Sequence, residues 1–172
     1  MSELSHFDET GASRMVDVGE KSVSRRTAVA SAAVSMRGET LAFVRDKRAA
    51  KGDVLEVARL AGIMAAKRTS ELIPLCHPLA LESVKIDFSY PNAETLRIVV
   101  TVGVEAKTGV EMEALTAASV AALTVYDMCK SVDRGMTIGP IQLEEKSGGR
   151  SGHWRRNLRR FRPCRRRRPA SS

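Results

Sequence analysis

The sequence predicts an α+β domain in which helices cover one face of an antiparallel sheet. Residues 81–90 and 96–104 alternate between apolar and polar side chains, which is typical of half-buried strands that pair as a hairpin. An alanine-rich segment at 107–130 indicates a long helix directly after the hairpin. The order strand, helices, two strands, helix and strand is that of a split βαβ sandwich.

The elements before the hairpin are predicted from small residues and turn residues. Residues 1–20 are polar with little periodicity and read as a loosely held arm. Small and β-branched residues at 26–36 predict a first strand, which Gly38 ends. Residues 39–48 then give one or two turns of helix.

A stronger helix is predicted to open at Gly52-Asp53 and to continue to about Ser70. Asp53 is a candidate N-cap because its carboxylate can accept from the free N–H groups of the first turn. The apolar residues expected on one face are Val54, Val57, Ala61 and Met64.

Three further features complete the predicted fold. Pro91-Asn92 is expected to form the hairpin turn, and 136–143 to form a last strand whose Gly139-Pro140 suits an edge or a bulge. In the long helix the expected small, apolar face consists of Met112, Leu115, Ser119, Ala122 and Tyr126.

The net charge of +8 over 172 residues is not spread over the chain. Residues 150–172 hold ten arginines and no acid, which leaves 18 basic and 20 acidic residues in 1–149. A disordered, arginine-rich tail is therefore expected at 154–172, after a catalytic domain at 21–153. The tail could bind a partner, could be a species extension or could reflect an altered reading frame.

The sequence lacks the motifs that are typical of several classes of protein. The three cysteines form no C-x-x-C pair and show no spacing for zinc or an iron–sulfur cluster, so a reduced, cytoplasmic protein without a metal site is expected. No apolar run approaches the length of a membrane span. A phosphate-binding G-x-x-x-x-G-K-[ST] loop, as in nucleotide hydrolases, is missing.

Two motifs hold side chains suited to catalysis. Pro74 and Pro78 make LIPLCHPL extended and stiff, so that the backbone fixes Cys76 and His77. His77 could be catalytic or a structural hydrogen-bonding group, and Cys76 a nucleophile or a buried thiol.

Asp127 and Lys130 lie at i and i+3 near the end of the long helix. They could act together on one bound group, or they could form an ordinary surface ion pair. The glycine pair in KSGGRSG could form a phosphate-binding nest or a mobile loop.

Three stretches, LIPLCHPL (72–79), KTGVEMEALTAASVAALTVYDMCK (107–130) and EKSGGRSG (145–152), resemble the cyclic pyranopterin monophosphate synthases of molybdenum cofactor biosynthesis. The similarity also takes in MVDV, KGDV and AGIMAAKRTSELIPL and covers roughly residues 5–153. The arginine-rich tail departs from the family pattern.

The resemblance implies a ferredoxin-like fold and a set of site residues. Asp127 is the implied catalytic residue, and Lys130 and Glu113 are expected to move protons with it. The other residues implied to bind substrate are Lys51, Lys67, Leu75, Cys76, His77 and Met112, and less decisively Arg26 and Lys146.

The resemblance also implies a lyase that converts a 3′,8-cyclised dihydro-GTP to cyclic pyranopterin monophosphate and pyrophosphate, without a cofactor. The implied assembly is a hexamer, a trimer of dimers, with sites at the dimer interface. About 21 Å separates Glu113 from Asp127 on one continuous helix, so two chains are expected to share each site. The alternative function is a nucleic-acid-binding module acting through the basic tail.

Overall fold

The computed structural model, which describes residues 10–47 and 52–157, contains both strands and helices. The strands of the described part are β1 (Ser24–Ser35), β2 (Ser83–Asn92), β3 (Thr95–Ala106), β4 (Thr137–Ser147) and β5 (Trp154–Arg155). Its helices are α1 (Gly38–Arg45), α2 (Val54–Lys67), α3 (Thr69–Leu72) and α4 (Glu111–Cys129).

The sheet is antiparallel throughout, in the order β2-β3-β1-β4-β5. Because β1 lies between β3 and β4, the first four strands have the split βαβ arrangement. The predicted α+β, ferredoxin-like class is confirmed.

The core lies between the sheet and two helices. Ala28 and Ala30 of β1 pair with Val102 and Val100 of β3, and all four side chains are fully buried. Helix α4 packs on β1, β3 and β4, and α2 packs on β2 and α4. A Cβ at Gly62 of α2 would lie 3.1 Å from a carbonyl oxygen of α4, so this glycine allows the two helices to approach closely.

The apolar face predicted for α2 is wrong in part. Asp53 does cap the helix, accepting from the backbone N–H groups of Leu55 and Glu56. Val57 and Met64 are exposed, however, and the buried residues are Val54, Ala58, Gly62, Ala65 and Ala66. The close contact with α4 selects small residues for the inner face, and the larger ones point outward.

The same error affects α4, where only Ala122 of the predicted face is fully buried. Met112 is exposed, and the buried side chains are Glu113, Ala114, Ala117, Ala118, Ala121, Ala122, Val125 and Cys129. The inner face is small and apolar as expected, but it is made of alanines, which the periodicity of larger residues did not reveal.

One turn and one strand end differ from their predicted positions. The hairpin turns at Ala93-Glu94, where the Asn92 side chain accepts from the Glu94 N–H at 2.9 Å, so Pro91-Asn92 still belongs to β2. The last predicted strand extends to Ser147, and its ladder with β1 shifts register opposite Gly139-Pro140, as expected for a bulge.

The loop after α4 is tied to the start of α1 by a buried carboxylate. Asp133 accepts from the Arg37 N–H at 2.9 Å and from the Thr40 hydroxyl at 3.1 Å. These bonds, led by the one from Arg37, hold the pKa of Asp133 below its ordinary value. They fix the segment that follows the C-terminal end of α4.

Candidate active site

A cleft of about 650 Å³ opens where the start of β1, the end of β4 and the N-terminus of α4 meet. Its charged lining consists of Lys21, Arg26, Lys107, Lys146 and Arg150, with Glu111 as the single acid. Several cations converging on a concave surface favour an anionic ligand that carries several charges. We refer to this site as the cationic cleft.

Arg26 is positioned by the end of β3. Its Nε donates to the carbonyl of Ala106 and its Nη2 to the carbonyl of Lys107, both at 3.0 Å. Both partners are neutral, so these bonds orient the guanidinium without neutralising its charge. A pre-oriented guanidinium suits a phosphate group, which it can bind through two parallel hydrogen bonds.

The glycine-rich loop after β4 packs tightly against β1. Gly148 and Gly149 adopt φ values of +98° and +69°, which side chains other than glycine rarely tolerate. A Cβ at Gly149 would collide with the Arg26 guanidinium, and one at Gly148 with the carbonyl of Arg25. This packing favours a shaped wall of the cationic cleft over a mobile loop.

Lys146 and Glu111 link the sheet to the long helix inside the cationic cleft. The Lys146 Nζ lies 2.8 Å from Glu111 Oε1, and both side chains are less than a third exposed. A phosphate entering the cleft would compete with Glu111 for this ammonium group.

The N-terminus of α4 adds partial positive charge between β1 and β4. Its N-cap residue, Val110, makes no side-chain capping hydrogen bond to the first turn. The helix dipole favours an anion at this end.

A smaller cleft of about 320 Å³ adjoins the cationic cleft and shares part of its lining, namely Lys21, Thr108, Gly109 and Glu111. The proline-containing segment after α3, residues 75–79, lines the other side of the smaller cleft. This smaller cleft brings together five residues that the resemblance implied: Leu75, Cys76, His77, Met112 and Glu113.

Burial changes the acidity of two groups here. Glu113 is only 4% exposed, and desolvation raises the pKa of its carboxyl. A hydrogen bond from its own backbone N–H opposes this rise, and the charge of Glu111 adds to it. Such a carboxyl keeps its proton to higher pH and can donate it in a reaction. Burial, together with the charge of Glu113, also raises the pKa of Cys76, which favours an inert thiol over a nucleophile.

Asp127 and Lys130, at the other end of α4, form an exposed ion pair. The Lys130 Nζ lies 2.6 Å from Asp127 Oδ1, and the two side chains are 55% and 67% exposed. Neither residue lines either cleft. Helix α4 is unbroken between Glu111 and Cys129, so Asp127 stays about 21 Å along the axis from Glu113.

Of the two lysines predicted near α2, one lies away from the clefts and the other is not described. Lys67 is exposed in the last turn of α2 and lines neither cleft. Lys51 lies outside the described residues. One chain therefore gathers the residues implied around Glu113, together with Arg26 and Lys146, and leaves Lys67, Asp127 and Lys130 elsewhere.

Sequence reasoning missed several residues that line the cationic cleft. Lys21, Lys107, Arg150 and Glu111 were not singled out as site residues. Two of them could have been chosen from their positions in the sequence, because Lys107 directly precedes the long helix and Arg150 lies inside KSGGRSG. Lys21 has no such local signal.

A search of the described ranges finds no cluster of three or more His, Cys, Asp or Glu side chains that could hold a metal ion. Within the same ranges, no helix has the length and hydropathy needed to cross a membrane.

Comparison with known proteins gives a consistent match over most of the chain. The model of the MoaC family matches residues 15–149. The cyclic pyranopterin monophosphate synthase of Thermomicrobium roseum is 65% identical over 157 residues, 91% of this chain and 95% of the relative.

Two further relatives have similar coverage. Cyclic pyranopterin monophosphate synthase 3 of Mycobacterium bovis is 62% identical over 90% of this chain and 87% of its own length. The synthase of Brevibacillus brevis is 57% identical over 90% of this chain and 96% of its own length. The chain therefore belongs to the MoaC family.

Proposed function

We propose that this protein is a lyase that converts (8S)-3′,8-cyclo-7,8-dihydroguanosine 5′-triphosphate to cyclic pyranopterin monophosphate and pyrophosphate, an early step of molybdenum cofactor biosynthesis. The observation that carries the proposal is the pair of joined clefts at the N-terminus of α4. One is lined with cations suited to a triphosphate, and the other holds a buried carboxyl group. The names of the relatives agree with this chemistry.

In the proposed complex the cationic cleft binds the triphosphate. Arg26 and Lys146 would contact phosphate oxygens, and Lys146 would exchange its ion pair with Glu111 for the ligand. Pyrophosphate leaves as an anion, so the same positive charges would stabilise the charge that develops on it. Arg150 and Lys21 extend this surface at the cleft walls.

Proton transfers are needed as the imidazole ring of the purine opens and the pterin ring closes. Glu113, whose pKa is raised by burial, is suited to hold and donate a proton. Asp127 and Lys130 would be the other proton-transfer groups. The base-derived part of the substrate would be contacted by Leu75, Cys76, His77 and Met112. Lys51 and Lys67 are proposed as further ligands of the anion.

The site is proposed to contain two chains, because α4 separates the two groups by about 21 Å. In a two-fold dimer, Asp127 and Lys130 of one chain would face Glu113 of the other, which gives two equivalent sites. A hexamer built from three such dimers, located in the cytoplasm, is part of the same proposal.

The experiment is a turnover assay with the cyclised triphosphate, prepared with the radical enzyme that makes it from GTP. We expect stoichiometric cyclic pyranopterin monophosphate and pyrophosphate, and no product when GTP itself is supplied. A well-folded protein that leaves the cyclised triphosphate unchanged would contradict the proposal.

The alternative of nucleic-acid binding relies on the arginine-rich tail, most of which lies outside the described residues. Salt-sensitive RNA binding that disappears when residues 158–172 are removed would support such a secondary role.

A further inference from the structure

The chain does not leave the sheet at the end of β4. After the glycine-rich loop it returns as β5, in which Trp154 pairs with Lys146 and Arg155 with Glu145. The predicted domain boundary at residue 153 thus falls before a segment that pairs with the sheet.

Arg156 anchors this return. Its backbone N–H donates to the carbonyl of Glu144 at 2.8 Å, and its side-chain Nε donates to the carbonyl of Leu143 at 2.7 Å. Its guanidinium also lies 4.0 Å from the Glu144 carboxylate and over the Trp154 ring. One residue thus ties β5 to β4 through both its backbone and its side chain.

The loop between β4 and β5 forms one wall of the cationic cleft. Gly148, Gly149, Arg150 and Ser151 all line that cleft. Together with Gly152, the loop holds three glycines with positive φ, and glycine-rich chain has high conformational freedom unless both ends are held. The pairing of β4 with β5 supplies the second end.

We propose that Arg156 is a positioning residue for the cationic cleft: by clamping β5 to β4 it fixes the glycine-rich loop against Arg26 and so shapes the wall that receives the anion. Arg156 acts through the loop and does not line the cleft itself. The inference rests on the proposed function for its kinetic test, but its binding test needs only the pyrophosphate anion.

The neighbouring arginine provides a matched control. Arg155 has 78% of its side chain exposed, and its closest charged contact is 3.9 Å from Glu145. Arg155→Ala and Arg156→Ala each remove one positive charge from neighbouring positions. Only Arg156→Ala also removes the side-chain hydrogen bond to the carbonyl of Leu143.

The first test compares Arg156→Ala with Arg155→Ala. We expect Arg156→Ala to raise both the KM for the cyclised triphosphate and the Kd for pyrophosphate, measured by calorimetry, about tenfold. Its kcat should stay within about twofold of the wild-type value. Arg155→Ala should stay within about twofold of wild type in all three quantities, and Arg156→Lys should recover part of the loss. Equal constants for the two alanine variants would overturn the proposal.

A second measurement shows whether the loop itself changes. Trp154 is the only tryptophan of the chain, so its emission reports on β5 directly. Arg156→Ala should shift this emission to the red and speed amide hydrogen exchange at residues 148–152, whereas Arg155→Ala should do neither. Unchanged exchange in Arg156→Ala would contradict the clamp.

Two truncations cover the case in which Arg156→Ala fails to fold. A chain ending at Asn157 keeps β5 and should bind pyrophosphate like wild type, whereas one ending at His153 should bind about tenfold more weakly. Equal affinity of the two truncated chains would overturn the clamp. A wild-type protein that binds pyrophosphate but does not convert the cyclised triphosphate would instead count against the proposed function.

Discussion

The two ends of α4 differ in what surrounds their ionisable groups. At the N-terminal end, Glu113 is 4% exposed and lines the smaller cleft, which adjoins the cationic cleft. At the C-terminal end, Asp127 and Lys130 form a close ion pair with more than half of each side chain exposed. Glu113 thus lies in the wall of a cleft, whereas Asp127 and Lys130 lie outside both clefts.

The difference in exposure between Glu113 and Asp127 does not arise because they lie on different faces of α4. Residues 113 and 127 are 14 positions apart, so their side chains point within about 40° of each other around the helix axis. What differs is the cover: the loop containing Cys76 and His77 packs over the N-terminal end. Asp127 and Lys130 line neither cleft.

An exposed ion pair contributes little to stability, since solvent screens it and two flexible side chains lose entropy. A second chain that covers the C-terminal end would supply the missing walls. An ion pair outside the clefts at one end and a buried carboxyl in a cleft at the other are the arrangement expected if two chains complete each site.

The largest expected effect concerns the exposed end. Asp127→Asn and Lys130→Ala should each lower kcat by about a thousandfold, because positioned acid–base groups contribute roughly 10² to 10⁴ in rate. Their thermal midpoints should stay close to that of wild type, since the pair is solvated. Turnover assays and circular dichroism melting curves measure the two quantities.

Turnover and thermal midpoint together distinguish a catalytic pair from an ordinary surface ion pair and from a structural one. Normal turnover in either variant would show that the pair is an ordinary surface ion pair. Loss of folding in both variants would show that the pair has a structural role.

The next prediction tests whether the two ends meet between chains. Glu113→Gln and Asp127→Asn, each inactive alone, should regain activity when their subunits are exchanged. Random mixing in a two-fold dimer makes half of the dimers hybrid, and each hybrid has one intact site, so about a quarter of wild-type activity should return.

A matched mixture provides the control. Asp127→Asn and Lys130→Ala alter the same end of α4, so no hybrid contains an intact pair and the mixture should stay inactive. Recovery in both mixtures, or in neither despite proven subunit exchange, would argue against a site shared between Glu113 and Asp127.

Most of the fold could be predicted because local patterns determine it. The alternation in 81–104 and the alanine content of 107–130 depend on neighbouring residues only, and the structure has the hairpin and helix they predict. The inner faces of α2 and α4 depend instead on how closely the helices approach. Hydrophobicity alone favours Met64 over Ala65, whereas the close contact buries Ala65.

The cationic cleft was harder to predict because its residues are distant in sequence. Lys21, Lys107 and Arg150 lie on separate segments that only the sheet brings together. The strand β5 was missed because two residues in an arginine-rich context show no periodicity. The family resemblance supplied Arg26 and Lys146, but nothing in the local sequence shows which carbonyls hold the Arg26 guanidinium.

The smallest expected effect tests the burial of Glu113. Its pKa is raised above the ordinary value of 4.5 mainly by desolvation, so the folded chain binds this proton more tightly than the unfolded chain. The resulting stability is fully present below about pH 4.5 and is lost as the pH rises through the raised, folded-state pKa. Glu113→Gln, which is neutral at every pH, does not undergo this loss.

The thermal midpoint of Glu113→Gln should therefore exceed that of wild type at pH 7, and the difference should shrink as the pH falls to 4, even though the variant is inactive. The exposed residue Glu105 provides the control: Glu105→Gln should follow the wild-type curve closely, since surface substitutions change stability little. A Glu113→Gln midpoint at or below wild type at pH 7 would mean that the ionised carboxylate is stabilised in the folded protein. Glu113 would then be better suited to accept a proton than to donate one, and the buried end of α4 would no longer supply the acid.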